Sequence, residues 1–282
     1  MDLDIDVEKD IENPLLSNED IEDAIKDIFL EDTVESFDVD PVMSQYVTDL
    51  ATSEFASKND YTKRVQELSR FFKGKIRDIP KKSILCQYYS NFVQTKKIQR
   101  NIMLEQFIKL KSVRSHSGVL VITVLTSPGK FSCPKNCHYC PNEVNEKGVP
   151  IMPRSYISTE PACRRATECN FDAVTQVFSR ARCLQRNGHL VDKIEILILG
   201  GTWSFYPQDY QDDFIRDLFF AANVYHEYQS TGVLRKERKS LEEEQQINET
   251  ANCRVIGITI ETRPDYITLS EIKRFRKLGI TR

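Results

Sequence analysis

The chain has 282 residues, room for one large or two modest domains, with a formal net charge of −3 and 29% charged side chains. No uniform basic field advertises nucleic acid, and no apolar run approaches the roughly 20 residues needed to cross a bilayer, so no membrane partner is expected. Eight cysteines without an apolar leader segment argue against a disulfide framework and for a reducing, cytoplasmic setting in which thiols serve metals.

Residues 1–40 alternate acids with Ile, Leu and Phe (D-L-D-I-D-V-E-K-D, then E-D-I-E-D). They read as a solvated, disordered tail holding a short amphipathic helix near 19–29. Residues 41–117 read as a helical domain: Val42, Tyr46, Val47, Leu50 and Ala51, then Val65, Leu68, Phe71 and Phe72, recur at three- and four-residue steps. Pro80 interrupts the pattern, and Ile84, Leu85, Tyr88, Tyr89 and Phe92 begin another helix. Residues 73–114 are rich in Lys and Arg. Lys81, Lys82, Lys96, Lys97 and Arg100, with Tyr88, Tyr89 and Phe92 between them, suit phosphates and unpaired bases, although such runs are also ordinary solvated faces.

From 118 the period changes. Residues 118–126 (G-V-L-V-I-T-V-L-T), 194–199 (I-E-I-L-I-L) and 254–261 read as strands. Between them lie a helix from Ser158-Thr159-Glu160-Pro161 towards Arg186, a helix opened by Pro207, and a charged stretch at 229–252 expected as a partly helical surface insertion. A last helix covers 268–278 and is capped by Gly279. Alternating strand and helix implies a parallel sheet with right-handed crossovers. Three such units are too few to close a barrel, so residues 118–282 are expected to form an open sheet, and the chain to be a fragment or a reduced version of a larger enzyme.

The strongest chemical signal is C-P-K-N-C-H-Y-C, which places Cys133, Cys137 and Cys140 on one loop after the first strand. Soft thiolates select zinc, copper or iron–sulfur clusters. A zinc site would need a fourth ligand such as His138, Cys163, Cys169 or His116. Three thiolates without a partner pair suit a four-iron cluster with one open iron, and Tyr139 before the last cysteine fits the C-x3-C-x2-C pattern of radical S-adenosylmethionine enzymes. Gly200-Gly201 follows the second strand directly, and bare backbone there lets a ligand come close. Cys86, Cys163, Cys169, Cys183 and Cys253 read as small, mostly buried apolar residues. Trp203 reads as pocket lining or core.

Several segments together resemble the Elongator catalytic-subunit family, radical S-adenosylmethionine and acetyltransferase enzymes acting on the wobble uridine of tRNA. They are S-V-R-S-H-S-G-V (112–119), the cysteine loop, S-Y-I-S-T-E-P (155–161), G-H-L-V-D-K-I-E-I-L-I-L-G-G-T-W (188–203), Y-Q-D-D-F-I-R-D-L (210–218) and I-G-I-T-I-E-T-R-P-D-Y (256–266). The likeness runs from about residue 70 to the last residue. Departures are a short interval between the first two cysteines, Pro141-Asn142-Glu143 where the family has P-G-G, and the expected lack of later barrel strands and an acetyltransferase domain.

The resemblance implies an α/β fold: a partial, open radical S-adenosylmethionine-type β/α barrel preceded by a helical, tRNA-binding domain. It implies a [4Fe-4S] cluster on Cys133, Cys137 and Cys140, and S-adenosylmethionine with its methionine end at Gly200 and Gly201. Glu261 and Arg263 would hold polar groups of that cofactor, unless they form only a local ion pair. Lys193 would meet acetyl-CoA, unless it is simply solvated. The implied reaction is carboxymethyl-type modification of tRNA uridine through a radical on acetyl-CoA, with other Elongator-type subunits as further partners. Two other readings stay open: a non-catalytic tRNA-binding module with a structural cluster, and a zinc-stabilised interaction protein.

Overall fold

The computed structural model describes residues 16–30, 40–76, 78–129 and 132–282. Most of the expected acidic tail (1–15 and 31–39), and Arg77 of the basic stretch, lie outside the described residues. The chain divides into two compact units. One comprises Phe29–Gly118 with Arg182–Val191; the other comprises Met1–Ile28, Val119–Ala181 and Asp192–Arg282.

The first unit is helical. α1 (Asn18–Leu30) belongs almost wholly to the other unit; after it the chain forms α2 (Pro41–Ala51), α3 (Lys58–Phe71), α4 (Lys82–Gln94) and α5 (Ile102–Ile108). Each start except that of α4 is marked by a short polar side chain that satisfies a free backbone N–H. Asp40 accepts from Val42, Ser57 from Asp60 and Asn101 from Leu104. Asn101 also donates its amide to the carbonyls of Ala51 and Ser53, at 2.8 and 3.0 Å, tying α5 to the end of α2. Tyr46, Leu50, Leu68, Leu85, Tyr89 and Leu104 fill the core. Tyr88, Tyr89 and Phe92 are all buried there, so they stabilise the bundle and cannot stack on bases. Phe71, expected on the buried face, is 79% exposed; Phe72 takes the inner position.

The second unit holds β1 (Leu120–Leu125), β2 (Lys193–Leu199) and β3 (Arg254–Ile260), parallel and in the order β1-β2-β3. The crossovers carry α6 (Pro161–Glu168), α7 (Ala173–Arg186), α8 (Gln208–Thr231) and α9 (Leu241–Asn248), and α10 (Leu269–Leu278) follows β3. Register puts Leu120, Ile122, Val124, Ile194, Ile196, Ile198 and Ile258 on one face, all buried. On the other face Val121 is exposed, as is Ile256, the extra residue at the register shift between Val255 and Gly257. Beyond α10, Thr281 and Arg282 donate their N–H groups to Ile258 O, and Arg282 O accepts from Ile260 N, so ladder bonding continues one step past β3.

The expected class, an α/β protein with a partial radical S-adenosylmethionine-type β/α barrel, is not met. Helix makes up 52% and strand 9%, and the sheet is a small, unclosed one of three strands. The physical reason is the size of the sheet: a barrel needs many tilted strands whose inner residues fill a common interior, whereas three strands of six or seven residues are outweighed by the helices around them.

Two helix expectations also change. The stretch from 161 to 186 is broken at Cys169–Asp172, where Asn170 and Phe171 have φ of 49° and 57°. Asp172 then caps α7 by accepting from Thr175 N at 2.8 Å. Residues 229–252 are not merely a surface insertion. α8 runs on to Thr231, and α9, opened by a Ser240–Glu243 capping box, buries Leu241, Glu244 and Asn248. No helix among the described residues is long and apolar enough to cross a membrane.

Candidate functional site

The carboxyl ends of all three strands are built into one corner. At the end of β1 the buried amide of Gln176, on α7, clamps Leu125, accepting from its N–H at 2.8 Å and donating to its carbonyl at 2.9 Å. Thr126 N donates to Leu199 O at 3.0 Å. The Thr126 hydroxyl shares a 2.7 Å hydrogen bond with Tyr206, whose ring stacks on Tyr210 and through it on Phe214. Ser127 N donates to the Tyr210 hydroxyl at 2.8 Å. Burial raises both tyrosine pKa values, that of Tyr210 to about 12, so these hydroxyls stay protonated structural groups.

Gly200 and Gly201 end β2 with φ of 149° and 91°. A Cβ on Gly200 would lie 1.7 Å from Thr126 Oγ1, and one on Gly201 2.6 Å from Ser132 O. Both glycines are therefore required by the protein's own packing. They let the base of the cysteine loop close on the strand end, where Thr202 N donates to Ser132 O at 2.8 Å. Trp203 is core, its ring packed on Tyr206 and Phe214, and its backbone N–H donates to Glu261 O at 2.9 Å. That bond joins the end of β2 to the end of β3.

Each loop cysteine meets a side-chain donor from a different segment. Thr202 Oγ1 lies 3.3 Å from Cys133 Sγ, Ser155 Oγ 3.1 Å from Cys140 Sγ, and Arg263 Nη1 3.9 Å from Cys137 Sγ. Arg263 is oriented by Asp265, which accepts from Nε at 2.9 Å and Nη2 at 2.8 Å; that pairing holds the Asp265 carboxyl below its usual range. Ser155 has φ of 80°, a left-handed conformation kept beside the loop. Arg154 bonds the Asn136 side chain. Tyr156 donates to Glu261 Oε2 at 2.5 Å, and burial, then this carboxylate, push its pKa well up.

The structure thus brings Cys133, Cys137, Cys140, Gly200, Gly201, Glu261 and Arg263 to one end of the sheet. Lys193 is elsewhere: it begins β2, beside Asp192 at 4.0 Å, roughly 20 Å of strand away from Gly200. Three soft thiols on one loop, each with a hydrogen-bond donor, are a donor set that suits an iron–sulfur cluster. The sulfurs are not drawn together, for among the described residues no group of three or more His, Cys, Asp or Glu is placed to hold a metal ion. The suggested fourth zinc ligands Cys163 and Cys169 are buried, and burial raises both thiols to about 11. Cys86 and Cys253 are likewise buried and raised, to about 11 and 12, but Cys183 is exposed.

Thr202, Ser155, Tyr156 and Asp265 were not singled out by the sequence reading. Each sits inside a quoted run, and Asp265 had a local signal, the R-P-D spacing that folds a carboxylate back onto Arg263.

Loops at the carboxyl ends of parallel strands are where such sheets bind ligands. Comparison with known proteins gives this corner a family context. No protein-family model matches the chain. The tRNA uridine(34) acetyltransferase of Methanocaldococcus infernus is 41% identical over 181 residues, 64% of this chain and 31% of that protein. Elongator complex protein 3 of Danio rerio is 32% identical over 181 residues, 62% of this chain and 30% of that protein. A solved structure of the Methanocaldococcus infernus Elp3 with an N-terminal deletion (1-46) has a TM-score of 0.40 at 34% identity, over 58% of this chain and 28% of that one. The matched part of the chain is homologous to the tRNA uridine acetyltransferase and Elongator complex protein 3 family, and it spans about a third of the length of those relatives.

Proposed function

We propose that this chain holds RNA and a cofactor in the modification of tRNA wobble uridine, as the names of its relatives suggest. In this reading residues 41–117 form the RNA-binding domain and residues 118–282 the cofactor-bearing one. Cys133, Cys137 and Cys140 hold a [4Fe-4S] cluster, and S-adenosylmethionine binds beside it against Gly200 and Gly201. The observation that carries the reading is the set of three donors, Thr202, Ser155 and Arg263, one aimed at each sulfur. Hydrogen bonds of this kind favour thiolates and steady a metal-binding loop.

A bound cluster with S-adenosylmethionine supplies one-electron chemistry that side chains lack, here directed to acetyl-CoA and a carboxymethyl-type product. The chain's own residues bind and orient. Asp265 fixes the Arg263 guanidinium beside Cys137, and Tyr156 fixes the Glu261 carboxylate at the mouth of the corner. Lys193 is assigned to a CoA phosphate, where a compact ammonium suits a phosphate charge.

Anaerobic reconstitution tests the metal. About four irons per chain are expected, and Cys137→Ala should lose them, since two thiolates cannot hold the cluster. Iron content unchanged in that variant, or stoichiometric zinc in protein purified without oxygen, would sink the assignment.

Binding of tRNA tests the other half. Lys73, Lys75 and Lys81 are exposed cations of the helical unit. Reversing all three to Glu should weaken binding more than tenfold at low salt and flatten the dependence of log affinity on log salt by about three units. An unchanged salt slope would leave these lysines as a solvated face.

A further inference from the structure

We propose that a groove between the end of α2 and the segment joining α4 to α5 is a subsite for one unpaired RNA nucleotide. Its phosphate would lie against Lys96 and Lys97, and its base on Ile102 and Met103. The assignment rests on the reading that the helical unit binds RNA, and names where in that unit a nucleotide sits.

The groove is lined by Thr48, Thr52, Lys97, Arg100, Ile102 and Met103. Its chemistry is two-sided. Ile102 is 63% and Met103 37% exposed, an apolar floor left uncovered at the very start of α5. The rim is cationic. Arg100 is held by Glu105 through Nε at 2.8 Å and Nη2 at 2.9 Å, which leaves Nη1 outside the pair. The Lys97 ammonium is steadied over the Phe92 ring, 5.3 Å from its centre. Cations beside an apolar surface can take the two halves of a nucleotide, the phosphate by charge and the base face by apolar packing on Ile102 and Met103. An acidic peptide would use the cations and leave the floor bare.

The second observation is a local sacrifice of stability. α4 ends with Lys96 N donating to Val93 O at 3.1 Å and Lys97 N to Phe92 O at 2.8 Å. This pair of bonds closes a helix through one left-handed residue, a position where glycine is the usual choice. Here it is Lys96, with φ of 56°. A lysine kept where glycine is easier adds a charge next to Lys97, which lines the groove, at the expense of the backbone. Strain held in this way is characteristic of binding sites.

The test uses the full 282-residue chain, a fluorescein-labelled uridine hexamer, a 12-base-pair RNA duplex and a hexaglutamate peptide as competitor. Wild-type protein should bind the hexamer more tightly than it binds the duplex. Lys97→Ala and Met103→Ser should each weaken hexamer binding about fivefold and leave the duplex nearly unaffected. Lys96→Gly should raise the melting temperature by roughly 2–4 °C while weakening hexamer binding about threefold. That opposition, steadier but poorer at binding, cannot arise from damage to the fold. Hexamer binding unchanged in all three variants, with the wild type binding RNA, would overturn the groove alone. Hexaglutamate displacing the hexamer at equal concentration would overturn it in favour of a protein partner. A wild type that binds neither RNA would overturn the groove together with the RNA reading beneath it.

Discussion

Gly200→Ala is expected to lower the unfolding free energy by about 3 kcal/mol, from backbone strain and overpacking together. At φ of 149° the residue is in a region that a side chain rarely adopts, and its Cβ would meet Thr126 Oγ1 at 1.7 Å and the Tyr206 hydroxyl at 3.1 Å. Neither neighbour can retreat. Thr126 is buried and bonded to Leu199, and Tyr206 belongs to the stack with Tyr210 and Phe214. Gly148 supplies the control: its φ is 74°, but nothing lies within 4 Å of the added carbon. Alanine there should cost only the backbone term, about 1 kcal/mol. Urea titration of both variants measures the difference, and a loss below 1 kcal/mol at position 200 would show that the corner yields more easily than its packing implies.

Glu244→Ala should cost about 3 kcal/mol by leaving a buried network without its central acceptor. Glu244 is 0% exposed. It takes Arg235, Lys239 N at 3.1 Å and the Asn223 amide at 2.8 Å. Asn223 in turn accepts from Asn248 at 2.7 Å, and Asn248 accepts from Val255 N on β3 at 2.8 Å. Burial pushes the carboxyl up, but Arg235 and the two N–H donors outweigh it and hold its pKa below the usual value. A carboxylate depressed in the folded state stabilises above its unfolded pKa, about 4.3. That contribution fades as pH falls through the lower folded value. Asp217 and Asp172 shift the other way, raised first of all by burial, so the raw acid profile mixes opposite signs. The informative quantity is the difference between wild type and Glu244→Gln. It should be largest near neutrality and shrink below about pH 4; a difference independent of pH would mean that the network holds no ionised carboxylate.

The sequence made the strands and the corner legible because both rest on local signals. Short continuous apolar runs marked β1 and β2, Gly200-Gly201 marked the strand end, and the cysteine spacing marked the loop. What stayed hidden depended on long-range geometry. No local pattern says that Tyr88, Tyr89 and Phe92 turn inward while Phe71 turns out, because an exposed aromatic and a buried one share the same helical spacing. The break at Asn170 and Phe171 carries neither glycine nor proline, so nothing announced it. Glu244 sits in a run of three glutamates that reads as a solvated face, and the approach of Arg235, the Asn223 amide and Lys239 N makes its burial tolerable. The expected class was corrected for a different reason. An open sheet was expected, but its three strands are so short that helix, at 52%, far outweighs strand, at 9%; strand patterns mark that a strand exists, not how large a share of the fold the sheet becomes.

The register of the parallel sheet also sets an order of events as the chain folds. Leu120 pairs with Ile194 and Lys193 with Arg254, so each pairing must close a loop of about 60 to 75 residues before it returns any contact energy. The helices of the other unit need only neighbours in sequence and form on a much faster scale. Thr202 reaches Cys133 only after the first closure, and Arg263 reaches Cys137 only after the second. A newly made chain therefore exposes Cys133 and Cys137 without their donors for the slowest part of folding, the interval in which they are most open to oxidation or to capture by the wrong metal, whereas Ser155 is near enough in sequence to meet Cys140 early.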